Sequence, residues 1–147
     1  MAQYENINKK GEGIMLRFTI TDSHQIEPVA YDWGAVKWVS NDEVAPGCEQ
    51  SFGLVHILPG KTNPMHWHLA AEELVYVLSG ECDIKFDNKW YRLTPGLTLH
   101  IPPGVRHELK NNGWEPVIYI ASFSASMRGT MFDDPDAVGA RPTSSLH

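Results

Sequence analysis

The chain has 147 residues, enough for one domain and short for two. With 42% hydrophobic and 20% charged residues its composition is that of an ordinary globular protein, able to bury a core without a disulfide scaffold. The net charge of −6 and the lack of any basic tract exclude a nucleic-acid surface and disfavour an anionic membrane as partner.

No apolar run reaches the roughly 18 residues of a membrane-crossing helix. Cys48 and Cys82 form no CxxC pair and read as free thiols of a reducing compartment. The first residues are polar and hold no secretory core segment, so a cytoplasmic protein is expected. Residues 1–14 read as a flexible lead-in, 15–132 as one domain, and 133–147 as a flexible tail rich in Asp, Ala, Gly, Pro and Ser.

Along the chain, short β-type segments follow one another between Gly and Pro. Residues 16–21 and 36–40 are the first two. An apolar run at 52–58 ends at Pro59-Gly60, and the segment 73–79 (ELVYVLS) stops at Gly80. Residues 81–87 alternate strictly, with Cys82, Ile84 and Phe86 on one face and charged residues on the other, the period of a half-buried strand. Asp87-Asn88 supplies turn chemistry, and 90–93 is the return strand of a hairpin. Segments 97–101, 107–110 and 117–124 complete the series. Many short strands at roughly ten-residue spacing predict an all-β sandwich or barrel.

Four residues carry candidate chemistry. His66 and His68 lie two apart, so in a strand both imidazoles share a face while Trp67 points away. Glu73 opens the next strand and His107 a later one. Three imidazoles and a carboxylate suit one divalent ion per chain: Fe, Mn, Ni, Co or Zn. Glu72 competes with Glu73, but strand parity admits only one of them inward. His56, on the strand before Gly60, is the candidate second-sphere group or base. His100 and Arg106 are expected to face away from the site, and His24 and His147 receive no role. Val75 and Val77 follow Glu73 inward, Leu99, Ile101 and Leu109 can join them, and Phe52, Leu54, Tyr119 and Phe123 are candidates for a cavity wall.

The spacing around these ligands is specific. Gly60, His66, His68, Glu73 and Gly80 form one pattern; Gly96, Pro102, Gly104, His107 and Asn111 form a second, with fifteen residues between Gly80 and Gly96. In these ten positions the sequence resembles the cupin superfamily. The resemblance implies a double-stranded β-helix, or jelly-roll, barrel that holds a metal with His66, His68, Glu73 and His107. It also implies a small-molecule substrate bearing oxygen atoms that reach the ion.

Dioxygenase-type oxidation leads the expected activities. A redox-neutral cyclase, lyase or isomerase of the polyketide-cyclase kind is the alternative, followed by a non-catalytic metal-dependent binding protein and by a metal that only staples the barrel. Two-domain cupins acting on oxalate need a second motif pair for which the chain has no room. Secreted plant germins are set aside for want of a signal and an N-terminal disulfide. Strands 16–21 and 36–40, with Trp33 and Trp38 nearby, have no obvious partner in a minimal barrel, so a homodimer is expected.

Overall fold

A computed structural model of the chain describes residues 3–8 and 15–134. Its regular structure is thirteen strands and one 3₁₀ turn, Ser23–Gln25. The strands are β1 Gln3–Asn8, β2 Met15–Ile20, β3 Val29–Tyr31, β4 Gly34–Ser40, β5 Ser51–Ile57, β6 Thr62–His68 and β7 Glu73–Ser79. There follow β8 Cys82–Phe86, β9 Lys89–Leu93, β10 Thr98–Ile101, β11 His107–Lys110, β12 Val117–Phe123 and β13 Thr130–Phe132.

Two antiparallel sheets face each other. One runs β10-β7-β12-β5-β4-β3 and the other β13-β6-β11-β8-β9; β1 and β2 pair separately. This is the all-β double-stranded β-helix expected from the motifs. Among the described residues, no helix is long and apolar enough to cross a membrane.

Alternation places the core between the sheets. On β7, Glu73, Val75 and Val77 are buried while Leu74, Tyr76 and Leu78 are exposed; on β12, Val117, Tyr119, Ala121 and Phe123 point inward. Cys82 and Ile84 of β8 are buried as their parity requires. The β8–β9 hairpin turns on Asp87 and Asn88, both at positive φ (45° and 64°), the backbone that matches the right-handed twist of the strands.

Four expectations change here. On β5 the buried positions are Ser51, Gly53, Val55 and Ile57, so Phe52, Leu54 and His56 point to the opposite face and do not line the interior. The 52–58 run is apolar at nearly every position, and such a run carries no parity signal. Its inward mark is instead Gly53, where a Cβ would stand 2.9 Å from the Trp38 ring. The segment 36–40 is not without a partner, since β4 pairs with β3 on one side and β5 on the other, and β2 pairs with β1. For 36–40 the ground for expecting a second chain is removed, whereas β2 pairs with β1 in a sheet of its own, apart from the two facing sheets. Residues 3–8 of the expected lead-in form β1, whereas 9–14 and 135–147 lie outside the described residues.

Pro64 disturbs β6 where it matters. Proline has no N–H to give to a ladder. The pairing of β6 with β11 shifts register there, from His66↔His107 to Asn63↔Leu109. A one-residue shift moves a side chain to the other face, and Asn63 accordingly joins His66 and His68 on the interior wall. Asn111 secures the far end of the same region. Its buried side chain donates to the carbonyls of Ile57 (2.9 Å) and Glu115 (2.8 Å) and accepts from the Gly113 N–H.

Candidate metal centre

His66 and His68 come from β6, Glu73 from the first position of β7 and His107 from the first position of β11. One donor atom from each lies within 4.8 Å of the others. All four side chains are buried, His107 completely and Glu73 to 4% exposure. Glu73 Oε2 stands 3.3 Å from His68 Nε2 and 3.2 Å from His107 Nε2. These three atoms are close but not aligned for hydrogen bonds, and each is buried without a hydrogen-bond partner among the described residues. Buried polar atoms left this way are costly unless something binds them together. A divalent cation among three nitrogens and a carboxylate oxygen removes that cost, so the donor set fits a single metal site.

The other ring nitrogens are already engaged. His66 Nδ1 donates to the Pro64 carbonyl (2.6 Å), His107 Nδ1 donates to the Val105 carbonyl (2.9 Å), and His68 Nδ1 lies 3.0 Å from Thr130 Oγ1. An imidazole with Nδ1–H committed to an acceptor presents the lone pair of Nε2, and its orientation is fixed before any ion arrives. Burial pushes the His66 pKa down to about 3, which keeps that ring neutral at ordinary pH. Burial alone would raise Glu73, but the His107 and His68 imidazoles beside it outweigh this and hold its carboxyl at about 2. A neutral imidazole and an ionised carboxylate are the forms that bind metal. Cys82 adds no donor: burial first, then Asp83, push its thiol up to about 12.

The cluster opens onto a cavity of about 230 Å³. Its wall is mainly aromatic, with Trp33, Trp38, Tyr119, Phe123 and Phe132, and Asn63, Arg128 and Thr130 add polar groups. Phe123 meets His68 edge-on at 4.8 Å and Phe132 lies 5.9 Å from His66. Val75 and Val77 are buried in the core as expected, with Ile101 and Leu109, and Leu99 packs against it.

Several sequence candidates fall outside this site. His56 is exposed on the outer face of its sheet, beside Pro28, Ala35, Lys37 and Leu54, so it is neither a base nor a second-sphere group here. Its strand enters the core through Val55 and Ile57, one residue to either side. Glu72 is exposed and pairs with His100 at 2.8 Å, away from the cluster, as the parity argument requires. Arg106 lies over the Trp67 ring and pairs with Asp133. Sequence reasoning missed Asn63, Arg128, Thr130 and Phe132. The last three sit on or just before β13, a three-residue strand too short to show periodicity, which pairs with β6 so that Thr130 lies beside His68.

Thr130→Val keeps the shape of the side chain and removes its hydroxyl. His68 then loses the partner of Nδ1, and metal affinity is expected to fall by roughly 10- to 100-fold. Competition with a chromophoric chelator measures it. Unchanged affinity would show that Thr130 does not orient His68.

A family model described as a cupin domain matches residues 53–123. A rhicadhesin receptor of Pisum sativum is 35% identical over 107 residues, covering 67% of this chain and 49% of that protein. Germin-like protein 5-1 of Oryza sativa subsp. japonica is 36% identical over 106 residues, covering 67% and 48%. The chain thus spans about half the length of these curated relatives. Among solved structures, a recombinant oxalate oxidase in complex with glycolate superposes with a TM-score of 0.66 at 26% identity, over 77% of this chain and 62% of that one.

These relatives overturn two expectations. The germins set aside on sequence are among the proteins this chain resembles. The cytoplasmic reading also falls, because these germin-like relatives are extracellular plant proteins. It rested on polar first residues and on two free thiols, and a thiol such as Cys82, buried in a core, is shielded from its surroundings and reports no compartment.

Proposed function

The chain belongs to the cupin superfamily, and we propose that it is a mononuclear metal enzyme that oxidises a small oxygen-bearing organic molecule with dioxygen. The observation that carries this reading is the cluster itself. Three pre-oriented imidazoles and one carboxylate converge, buried, at the wall of a cavity with room for a small molecule. His66, His68, Glu73 and His107 would hold the ion, and the cavity would bring a small oxygen-bearing molecule to it. A bound Fe or Mn ion supplies Lewis acidity and one-electron exchange with O₂.

The chain's own residues do the rest. His66 and His107 are braced by backbone carbonyls and His68 by Thr130, so the donor geometry costs little reorganisation. Trp33, Trp38, Phe123 and Phe132 give the cavity its apolar wall and limit the size of what enters. Glu73 contributes the single negative charge among the donors, which favours the higher oxidation state of a redox-active ion. The likeness to an oxalate oxidase solved with glycolate supports an oxidase rather than a purely binding role.

The test is oxygen uptake by manganese- and iron-loaded protein against a panel of hydroxy acids, dicarboxylic acids and catechols. Uptake that needs both the metal and one member of the panel is the expected result. Turnover that persists without oxygen would replace the oxidase by a redox-neutral lyase, isomerase or cyclase. A chain that takes up no metal after reconstitution with Fe(II), Mn(II), Ni(II) and Zn(II) would end the reading altogether.

A further inference from the structure

Arg128 lies on the wall of the metal cavity and has no strong partner. Its guanidinium carbon lies over Trp38, 3.8 Å from the ring centroid, and 5.2 Å from that of Phe123. Phe123 is the same ring that meets His68 edge-on, so one aromatic width separates the guanidinium from a metal-ligating histidine. The one hydrogen bond it donates among the described residues is a long one to Ser51 Oγ, 3.4 Å, and no carboxylate of those residues pairs with it. A guanidinium half-buried against apolar rings ordinarily finds an acceptor for its fork of N–H groups.

The charges of the cavity say what that acceptor is. Among its lining residues Glu73 is the one carboxylate and Arg128 the one Lys or Arg side chain. With a divalent ion bound, three neutral imidazoles, the Glu73 carboxylate and Arg128 would leave two positive charges at a cavity whose wall mixes polar and apolar groups. Such a cavity favours an anion through charge complementarity. The backbone fixes the distance between the two binding points. The Ala70 N–H donates to the Arg128 carbonyl, the Leu69 N–H donates to the Gly129 carbonyl, and Thr130 pairs with His68. The backbone of Arg128 is therefore anchored beside the strand end that carries His68.

We propose that Arg128 binds a carboxylate of the substrate while another oxygen group of the same molecule reaches the metal, so that the natural substrate is a small organic anion with two oxygen-bearing ends. The inference rests on the metal-centre reading above and adds a residue that selects substrate. A guanidinium offers two parallel N–H groups to a carboxylate, and the contact with Trp38 holds this one at the cavity wall. A neutral diol of the same size would fill the cavity and leave this fork unpaired.

The test is calorimetric binding of malonate and of its monomethyl ester to manganese-loaded wild type, Arg128→Gln and Arg128→Lys, with metal content read by plasma mass spectrometry on each. Wild type is expected to prefer malonate by roughly 10- to 100-fold, the worth of a charge-assisted pair. Arg128→Gln loses that preference with its metal content unchanged. Arg128→Lys, which keeps the charge without the fork, retains part of it. A preference that survives in Arg128→Gln, or is missing from wild type, overturns the proposal. If Arg128→Gln fails to fold, an unshrunken preference in Arg128→Lys does so instead. A purely structural Arg128 would lower the melting temperature and leave the preference intact. Should the wild type hold no metal, the proposed activity fails by itself, and malonate affinity of the metal-free wild type against that of metal-free Arg128→Gln still decides the role of Arg128, equal affinities overturning it.

Discussion

Replacing His66 and His107 together by alanine is expected to reduce bound metal from about one ion per chain to almost none. The two imidazoles face each other across the β6–β11 pairing, with ring centroids 4.3 Å apart, and their removal leaves only His68 and Glu73 as donors. A four-ligand zinc site binds with roughly 10–16 kcal/mol, so an even share puts two lost ligands at about 5–8 kcal/mol. That is a fall in affinity of about three orders of magnitude or more. Plasma mass spectrometry on tag-free protein, wild type beside the variant, measures it directly. A variant that still carries a full equivalent would place the ion somewhere other than this cluster. Loss of the ion should also remove whatever melting-temperature increment the metal gives the wild type, since an ion that binds only the folded chain stabilises it.

Gly80→Ala should be among the most damaging single substitutions outside the site, at about 2–5 kcal/mol. The residue holds φ at 72°, a region that costs an L-residue about 1–2 kcal/mol. The added Cβ would also stand 2.5 Å from the Pro116 carbonyl oxygen and 2.9 Å from the Val117 Cα. Both are backbone atoms at the start of β12, which pairs with β7 through Ile118↔Ser79, so neither yields without moving the sheet. Gly104→Ala is the matched control. It has a similar φ of 79°, but nothing lies within 4 Å of its Cβ, so only the conformational cost of about 1–2 kcal/mol remains. Urea unfolding of both variants gives the comparison, and equal losses would mean that the approach of Pro116 is not a real constraint.

These two glycines mark how far the chain can be read unaided. Their places in the motif spacing identify both as turns, and both do take positive φ. That one of them is also pressed against a distant strand is invisible in spacing, because the contact comes from residues 36 positions later along the chain. The same division runs through the site. His66, His68, Glu73 and His107 were legible because alternation in strands and fixed spacing between turns are local properties. Asn63 was not, because simple parity puts Pro64 on the interior face. Only the register shift that proline forces in the ladder turns Asn63 inward. Phe52, Leu54 and His56 were misplaced for a related reason: a run that is apolar at both parities needs its neighbours before its faces can be told apart, and Gly53 beneath Trp38 is what decides them.

By itself, then, the sequence determined an all-β sandwich or barrel, from periods of two residues and turns at set intervals, while the jelly roll and the full set of four ligands followed from its resemblance to the cupin superfamily. It also shows no basic tract of the kind a nucleic-acid surface would need. What only the tertiary structure decided is the rest of the cavity. Trp33 and Trp38 come from the β3–β4 region, Phe123 from β12, and Arg128, Thr130 and Phe132 from the last described strand and its approach. Antiparallel pairing brings β13 beside β6 across some sixty residues of chain, setting Thr130 against His68 and Arg128 at the cavity wall. Pairing between strands so far apart leaves no local period to read, and it is this pairing that surrounds the metal ligands with the groups that choose what they act on.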